Sequence, residues 1–149
     1  MRKMLLILTM LLVPALAGAQ GMMHHMMKNV KDERRVLNIP AKMKVMQKKM
    51  MRQHMATLAS IVSLVAEGKL DEAGSLTKEK LGTNPEDIKR CSRMAKMAGE
   101  PDFLKFGMAM HEKADELAEH AKKGHRDKTL KSLAELINSC NACHERFRH

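Results

Sequence analysis

Large aromatic side chains are almost missing from this sequence. Its 149 residues include no tryptophan, no tyrosine and three phenylalanines. Because each buried aromatic side chain contributes about 150–250 Å² of core surface, the chain has few bulky groups of its own with which to fill a core. The lack of Trp and Tyr also removes the side chains on which nucleic-acid bases stack, and this argues against nucleic-acid binding despite a formal net charge of +10.

Glycine and proline are also scarce, with eight and four residues, and most of them stand between long segments rather than within them. Those segments are rich in Ala, Leu, Met, Lys and Glu, which favour helices, and they show no alternation typical of strands. The composition therefore predicts an all-α fold.

Apolar residues at helical spacing divide the chain into four amphipathic helices. We expect them at residues 40–67, 69–81 with an extension over 84–97, 101–123, and from 127 to the C-terminus. The predicted inward faces are Met51, Met55, Leu58, Val62 and Val65 in the first helix, Phe103, Phe106, Met110, Ala114, Leu117 and Ala121 in the third, and Leu130, Leu133, Leu136 and Ile137 in the fourth. Because the connections are short, the helices should form an antiparallel up-down-up-down four-helix bundle.

No apolar run is long enough to cross a bilayer, and the longest one lies at the N-terminus. Arg2 and Lys3 precede a short apolar stretch that Pro14 interrupts, and the small residues around Ala17 and Ala19 follow. This is the pattern of a signal peptide over residues 1–19, cleaved after Ala19. We therefore expect a mature protein in a bacterial periplasm, without a stable membrane span, whose basic surface attracts an acidic partner or an anionic membrane surface.

The stretch that follows the predicted cleavage site has no helical period. We interpret residues 20–35 as a flexible leader and residues 36–149 as the folded domain. The leader contains Met22-Met23-His24-His25-Met26-Met27, whose thioether and imidazole groups suit copper. We nevertheless expect a tail that binds nothing, with copper binding as the alternative.

The most specific motif is Cys140-Asn141-Ala142-Cys143-His144. Thiols three positions apart share a helical face, so both can form thioether bonds to the two vinyl groups of one haem. His144 follows directly and supplies a proximal ligand for the iron. The alternatives are a disulfide, a redox-active Cys-x-x-Cys pair and half of a zinc site. An exported chain with this motif is predicted to carry one covalent haem c.

Other reactive side chains receive simpler interpretations. Cys91 has no obvious partner, and we expect a small buried residue, with an intermolecular disulfide as the alternative. We interpret His111, His120 and His125 as solvated helix positions. Because no separate acid–base constellation is present, we expect an electron carrier or ligand binder and not an enzyme, apart from weak peroxidase-like turnover at open haem iron.

The run from Cys140 to Arg148, together with Asp102-Phe103 at the start of the third helix, resembles the cytochrome c-prime family, whose haem site lies close to the C-terminus. The resemblance implies a periplasmic four-helix haem protein for electron transfer or for binding NO and CO. It also implies that Phe147 and Arg148 lie near the haem. Members of the family are often homodimers through their first two helices.

The sixth iron position separates the branches of that family, and the resemblance implies that its residue comes from the first helix. A Met at that position favours electron transfer with redox partner proteins, whereas an apolar side chain leaves the iron open to gases. We expect Met51, with His54, Met55 or an open site as alternatives. Three classes of function follow, namely an electron-transfer cytochrome, a gas-binding cytochrome, and a bundle that binds metal without haem.

Overall fold

The computed structural model describes residues 31–149, of which Arg34–His149 form one compact unit. Five helices account for most of this unit, and two short strands flank them. The helices are α1 (Ala41–Ala66), α2 (Leu70–Lys80), α3 (Pro85–Ala98), α4 (Pro101–Lys122) and α5 (Arg126–Arg146), and the strands are β1 (Arg35–Val36) and β2 (Phe147–Arg148). The predicted all-α class is confirmed.

The helix boundaries follow from the punctuation of the sequence. The Asn84 side chain accepts a hydrogen bond of 2.9 Å from the backbone N–H of Asp87, and Pro85 occupies the first turn of α3. Asn84 therefore caps α3, since its side-chain oxygen satisfies a backbone donor that has no partner within the helix. After α3, Gly99 adopts the left-handed conformation with φ of 65°, which ends the helix at little steric cost.

α4 is the central helix of the unit. It packs against α5, α2 and α3, while α1 packs against α2. At one end of the unit, α1, α2, α4 and α5 close around a core of aliphatic side chains. The fully buried members include Ile61, Leu81, Leu117 and Leu136. A second cluster lies around Phe103 and Phe147 and joins α3, α4 and the segment before α1.

The predicted inward faces of α1 and α5 are wrong at four positions. Met55 and Val62 of α1, and Leu130 and Ile137 of α5, are exposed to solvent. The buried residues of α1 are Gln47, Leu58, Ile61 and Val65, and those of α5 are Thr129, Ser132, Leu133 and Leu136. In each helix, apolar residues at spacings of three and four could mark either of two neighbouring faces as the buried one. The face that is buried is the one that also carries amide or small side chains, such as Gln47 in α1 and Ser132 in α5.

The end of the chain also differs from the prediction. α5 ends at Arg146 instead of continuing to the C-terminus, because Phe147 takes an extended conformation. β2 then pairs in parallel with β1, with Arg35 opposite Phe147, although the sequence showed no strand pattern. The backbone N–H of Leu37 donates to the carbonyl oxygen of Arg148 over 2.8 Å. This pairing holds the segment before α1 beside the C-terminus.

None of the helices within residues 31–149 is long and apolar enough to span a membrane. The predicted signal peptide over residues 1–19 lies outside the described residues. The leader segment from Met22 to Met27, for which copper binding was the alternative, also lies outside them.

Candidate functional site

The inner face of α5 continues directly into the cysteine motif. Leu133, Leu136, Cys140 and Cys143 follow one another at alternating spacings of three and four residues, which places them on one side of the helix. Cys140 packs against the aliphatic core, and Cys143 packs against the cluster around Phe103. Both thiols are free. They therefore stand where the two cores of the unit meet.

A cavity of about 1000 Å³, counting the part that opens to solvent, occupies this junction. Its walls come from α1, α3, α4 and α5, and both thiols of the motif line it. The backbones of α1 and α5 are not among the close helix pairs of the unit, so the cavity has room between them.

The side chains that line the cavity are mostly apolar, but sulfur and imidazole donors are unusually frequent among them. These donors are Met50, Met51, His54 and Met55 from α1, Cys91 from α3, His111 from α4, and Cys140, Cys143 and His144 from α5. A cavity with apolar walls and a few donors is the usual form of a cofactor site. The sequence-predicted residues of α1 and α5 therefore line one shared space.

Burial controls the protonation of the thiols. It raises the pKa of Cys143 to about 11, with smaller contributions from the negative charges that Cys140 and Cys91 would carry. Burial likewise raises the pKa of Cys140 and of Cys91. Reactive Cys-x-x-Cys pairs have a lowered thiol pKa, so these thiols, protonated at neutral pH, do not have the character of a redox-active pair or of a preformed thiolate site for zinc.

His144 occupies the edge of the cavity. Its side chain is exposed, and its backbone carbonyl accepts a hydrogen bond of 3.3 Å from the guanidinium group of Arg34. The following residues turn back toward the body of the protein. The ring of Phe147 is buried and makes edge-on contacts with Phe103 and Phe106, with ring centroids 5.8 Å apart in both cases. All three phenylalanines of the chain are therefore gathered at this cavity.

The helical phase of α1 distinguishes the candidate ligands. Met50, Met51 and His54 are half-buried, and they lie one to two turns before Leu58 on the inward face. The Sδ atom of Met50 accepts a hydrogen bond of 3.1 Å from Arg90. Met55 borders the cavity, but 63% of it is exposed. The structure thus brings Met51 and His54 to the cavity wall and leaves Met55 largely in solvent.

His111 is the functional candidate that sequence reasoning missed, because we predicted a solvated position. The side chain is 3% exposed. Its Nδ1 atom lies 2.7 Å from the carbonyl oxygen of Leu81, and its Nε2 atom lies 4.0 Å from the Sγ atom of Cys91. Since a carbonyl can only accept, Nδ1 carries the proton and Nε2 keeps its lone pair.

A signal for the burial of His111 was present in the sequence. It shares the helical phase of Ala114, Ala118 and Ala121, all of which are buried. The same neighbourhood gives Cys91 a partner that the sequence did not show. The two other histidines that we interpreted as solvated differ in exposure. His120, near the end of α4, is half-buried, whereas His125, just after α4, is exposed.

The two inward-facing imidazoles influence each other. Burial lowers the pKa of His54, and the positive charge that His111 would carry lowers it further, while the Asp87 carboxylate raises it. A neutral imidazole is the form that binds a metal ion. His54 therefore has the protonation state of a ligand at neutral pH.

The apolar walls and the position of the donors fit a haem group. The thiols face the cavity from α5, an imidazole follows them at its edge, and further donors line α1 and α4. A metal ion alone is less well served, since no group of three or more His, Cys, Asp or Glu in the described part of the chain could hold one.

The chain matches no protein-family model, no curated protein and no solved structure. The assignment of a function therefore depends on the chemistry and geometry of the chain's own residues.

Proposed function

We propose that this protein is an exported monohaem c-type cytochrome that acts in periplasmic electron transfer. Cys140 and Cys143 form the thioether bonds, and His144 is the proximal iron ligand. One observation carries the proposal, namely that the two thiols of a Cys-x-x-Cys-His motif both line a cavity of about 1000 Å³. In the proposed mature chain, the signal peptide has been removed after Ala19.

The proposed fold is an antiparallel up-down-up-down four-helix bundle. α2 and α3 together form its second member, because Leu81–Asn84 only interrupt them and both pack on α4. Short connections join the members at Gly68, Gly99 and Gly124, as such a bundle requires. This arrangement and the motif near the C-terminus support the resemblance to the cytochrome c-prime family.

The residues of the chain would perform distinct tasks around the group. When bound, haem supplies an iron centre that gains and loses one electron. Cys140 and Cys143 would hold the group beside α5, and the imidazole of His144 would bind its iron. The apolar walls and the buried ring of Phe147 exclude water, which alters the reduction potential. Arg148, exposed on β2, adds a positive charge close to the attachment motif.

The sixth ligand is proposed to come from α1, and Met51 remains the first candidate. It is half-buried and lines the cavity, and its thioether is not engaged by Arg90 as that of Met50 is. His54 is the second candidate because its lowered pKa favours the neutral ring. Several donors on this wall support an electron-transfer role over a role in binding gases.

Absorption spectra of the oxidised and reduced holoprotein test this function, with Met51→Ala and His54→Ala as variants and Met55→Ala as the matched control. We expect a low-spin spectrum with a methionine-to-iron charge-transfer band that disappears in Met51→Ala and persists in Met55→Ala. If the band persists in Met51→Ala, or disappears only in His54→Ala, the ligand assignment is wrong. A high-spin ferrous form that takes up CO rapidly in the unaltered protein would instead support the gas-binding alternative.

A further inference from the structure

The charge of α1 is entirely of one sign. Its 26 residues contain no Asp or Glu, and its basic residues all lie in the first half of the helix. They are Lys42, Lys44, Lys48, Lys49 and Arg52. An alternation of signs is usual on exposed helices because it adds stabilising pairs. α1 has no such pairs, so its basic residues do not serve the stability of the helix.

These five cations, which we call the α1 basic face, are also without ion-pair partners among residues 31–149. Each other helix in that part of the chain has at least one basic residue paired with a carboxylate, as Lys78 is with Asp115 at 2.9 Å and Lys113 with Glu135 at 3.1 Å. α1 is therefore the one helix among residues 31–149 without such a pair. An unpaired cluster of this kind projects a positive field into solvent.

The α1 basic face lies beside the cavity. Burial is the main cause that lowers the pKa of His149, and the nearby positive charges of Lys48 and Lys44 lower it further. His149 itself lines the cavity. Two apolar side chains stand among the cations, since Val45 is 67% and Met46 is 52% exposed. Cations around a small exposed apolar centre form a surface that can hold another macromolecule near the cavity mouth.

We propose that the α1 basic face is a docking surface for an acidic protein. Carboxylates of the partner would oppose the five cations, and its apolar residues would cover Val45 and Met46. The role of this contact in passing electrons rests on the proposed haem function, because docking there would bring a redox partner next to the cavity. The docking itself depends only on the charges.

The charge and shape of the α1 basic face favour an acidic protein over three other binding partners, namely a second copy of the chain, a membrane and nucleic acid. A second copy docking through the same face would bring its five cations against an identical set, and like charges oppose each other. A membrane-bound helix needs a broad apolar face to insert, whereas the large apolar side chains exposed among the cations are only Val45 and Met46. Nucleic acid is disfavoured because the protein has no Trp or Tyr side chain on which its bases could stack.

Binding of fluorescein-labelled poly-L-glutamate to the holoprotein tests the proposal, with fluorescence anisotropy as the readout. The double variant Lys48→Glu/Lys49→Glu is compared with the control Lys128→Glu/Lys131→Glu. The control makes the same change of net charge at exposed positions near the start of α5, away from the cysteine motif. At low ionic strength we expect about tenfold weaker binding in the first variant and less than about twofold in the second. Lys48→Gln/Lys49→Gln, which only removes charge, should show a smaller loss in the same direction.

Equal losses in the two double-Glu variants would overturn the proposal, because net charge alone would then explain the binding. It would also be overturned if vesicles of phosphatidylglycerol and phosphatidylethanolamine bind through Lys48 and Lys49 whereas poly-L-glutamate binding ignores them. Self-association that these two lysines promote would contradict it as well.

A kinetic measurement separates this surface from the haem assignment. We expect Lys48→Glu/Lys49→Glu to slow oxidation of the reduced holoprotein by anionic hexacyanoferrate(III) and to accelerate oxidation by cationic hexaamminecobalt(III), while the control pair changes neither rate. If the protein carries no haem but still binds poly-L-glutamate through this face, the function fails and the surface stands. If haem is present and neither rate changes, the surface does not serve electron transfer.

Discussion

The two ends of the helical unit are packed in different ways. At one end, Ile61, Leu117 and Leu136 are fully buried in a continuous aliphatic core. At the other end, α1, α3, α4 and α5 surround a cavity whose walls carry half-buried thiols, methionines and histidines. A protein interior is normally packed to the density of an organic crystal. The comparison supports the proposal that a group not supplied by the polypeptide fills the second end.

Scarcity of aromatic residues gives this comparison its physical basis. The three phenylalanines all lie at the cavity end, where Phe147 contacts Phe103 and Phe106, and they still leave the space unfilled. The closed end needs no aromatic ring, because branched and small side chains from α1, α2, α4 and α5 interlock there. Filling the cavity with haem would give both ends comparable packing.

The largest expected effect comes from removing the two thiols. Cys140→Ala/Cys143→Ala should lose covalent haem completely, because no other thiols precede His144 at the required spacing. Intact-mass measurement after expression with cytochrome maturation machinery provides the readout. Cys91→Ala is the matched control and should keep its haem. Retention of covalent haem in the double variant would exclude these two cysteines as the attachment points.

Truncation of core side chains should distinguish the two ends in the haem-free protein. Leu136→Ala removes a fully buried side chain from the closed end and should destabilise the protein by about 2–5 kcal/mol. Met51→Ala, on the cavity wall, should cost about 1 kcal/mol or less. Urea unfolding measures both. Equal decreases in the free energy of unfolding for the two variants would show that the two ends are packed alike.

The buried imidazole on the cavity wall provides a smaller effect. His111→Leu leaves the carbonyl oxygen of Leu81 without the partner that now lies 2.7 Å away, and an unsatisfied buried acceptor costs about 1–3 kcal/mol. His125→Leu, at an exposed position, should change the free energy of unfolding by less than about 0.5 kcal/mol. If His111→Leu is as stable as the unaltered protein, the bond to Leu81 makes no net contribution.

The smallest effect concerns the pH dependence of thiol alkylation in the haem-free protein. Because burial raises the pKa of Cys143 to about 11, little thiolate forms at pH 8, and the thiolate is the reactive species. Iodoacetamide should therefore modify Cys143 on the order of tenfold more slowly in the folded chain than in urea. The difference should narrow as the pH rises toward 11. A thiol that reacts equally fast in both states would contradict its burial.

Much of this organisation could be predicted from local sequence. The helix boundaries follow from Asn84-Pro85 and from the glycines at helix ends, and the cysteine motif is visible as five consecutive letters. Local signals of this kind depend on the backbone alone. They require no knowledge of what packs against the helix.

The residues that could not be predicted depend on partners distant in the chain. Buried His111 bonds to the backbone of Leu81, thirty positions earlier in the chain. This bond satisfies a polar side chain that a hydrophobicity pattern assigns to solvent, whereas Met55 and Val62 were assigned to the core. The pairing of Arg35 with Phe147 joins residues over a hundred positions apart, and no local pattern encodes it.

The intact mass of the mature protein tests the central claim most directly, after expression in a cell with a working cytochrome maturation system. We predict the polypeptide mass from residue 20 onward plus one haem, together with a Soret band that persists after denaturation. A protein of bare polypeptide mass without Soret absorbance would contradict the assignment of the cavity to haem.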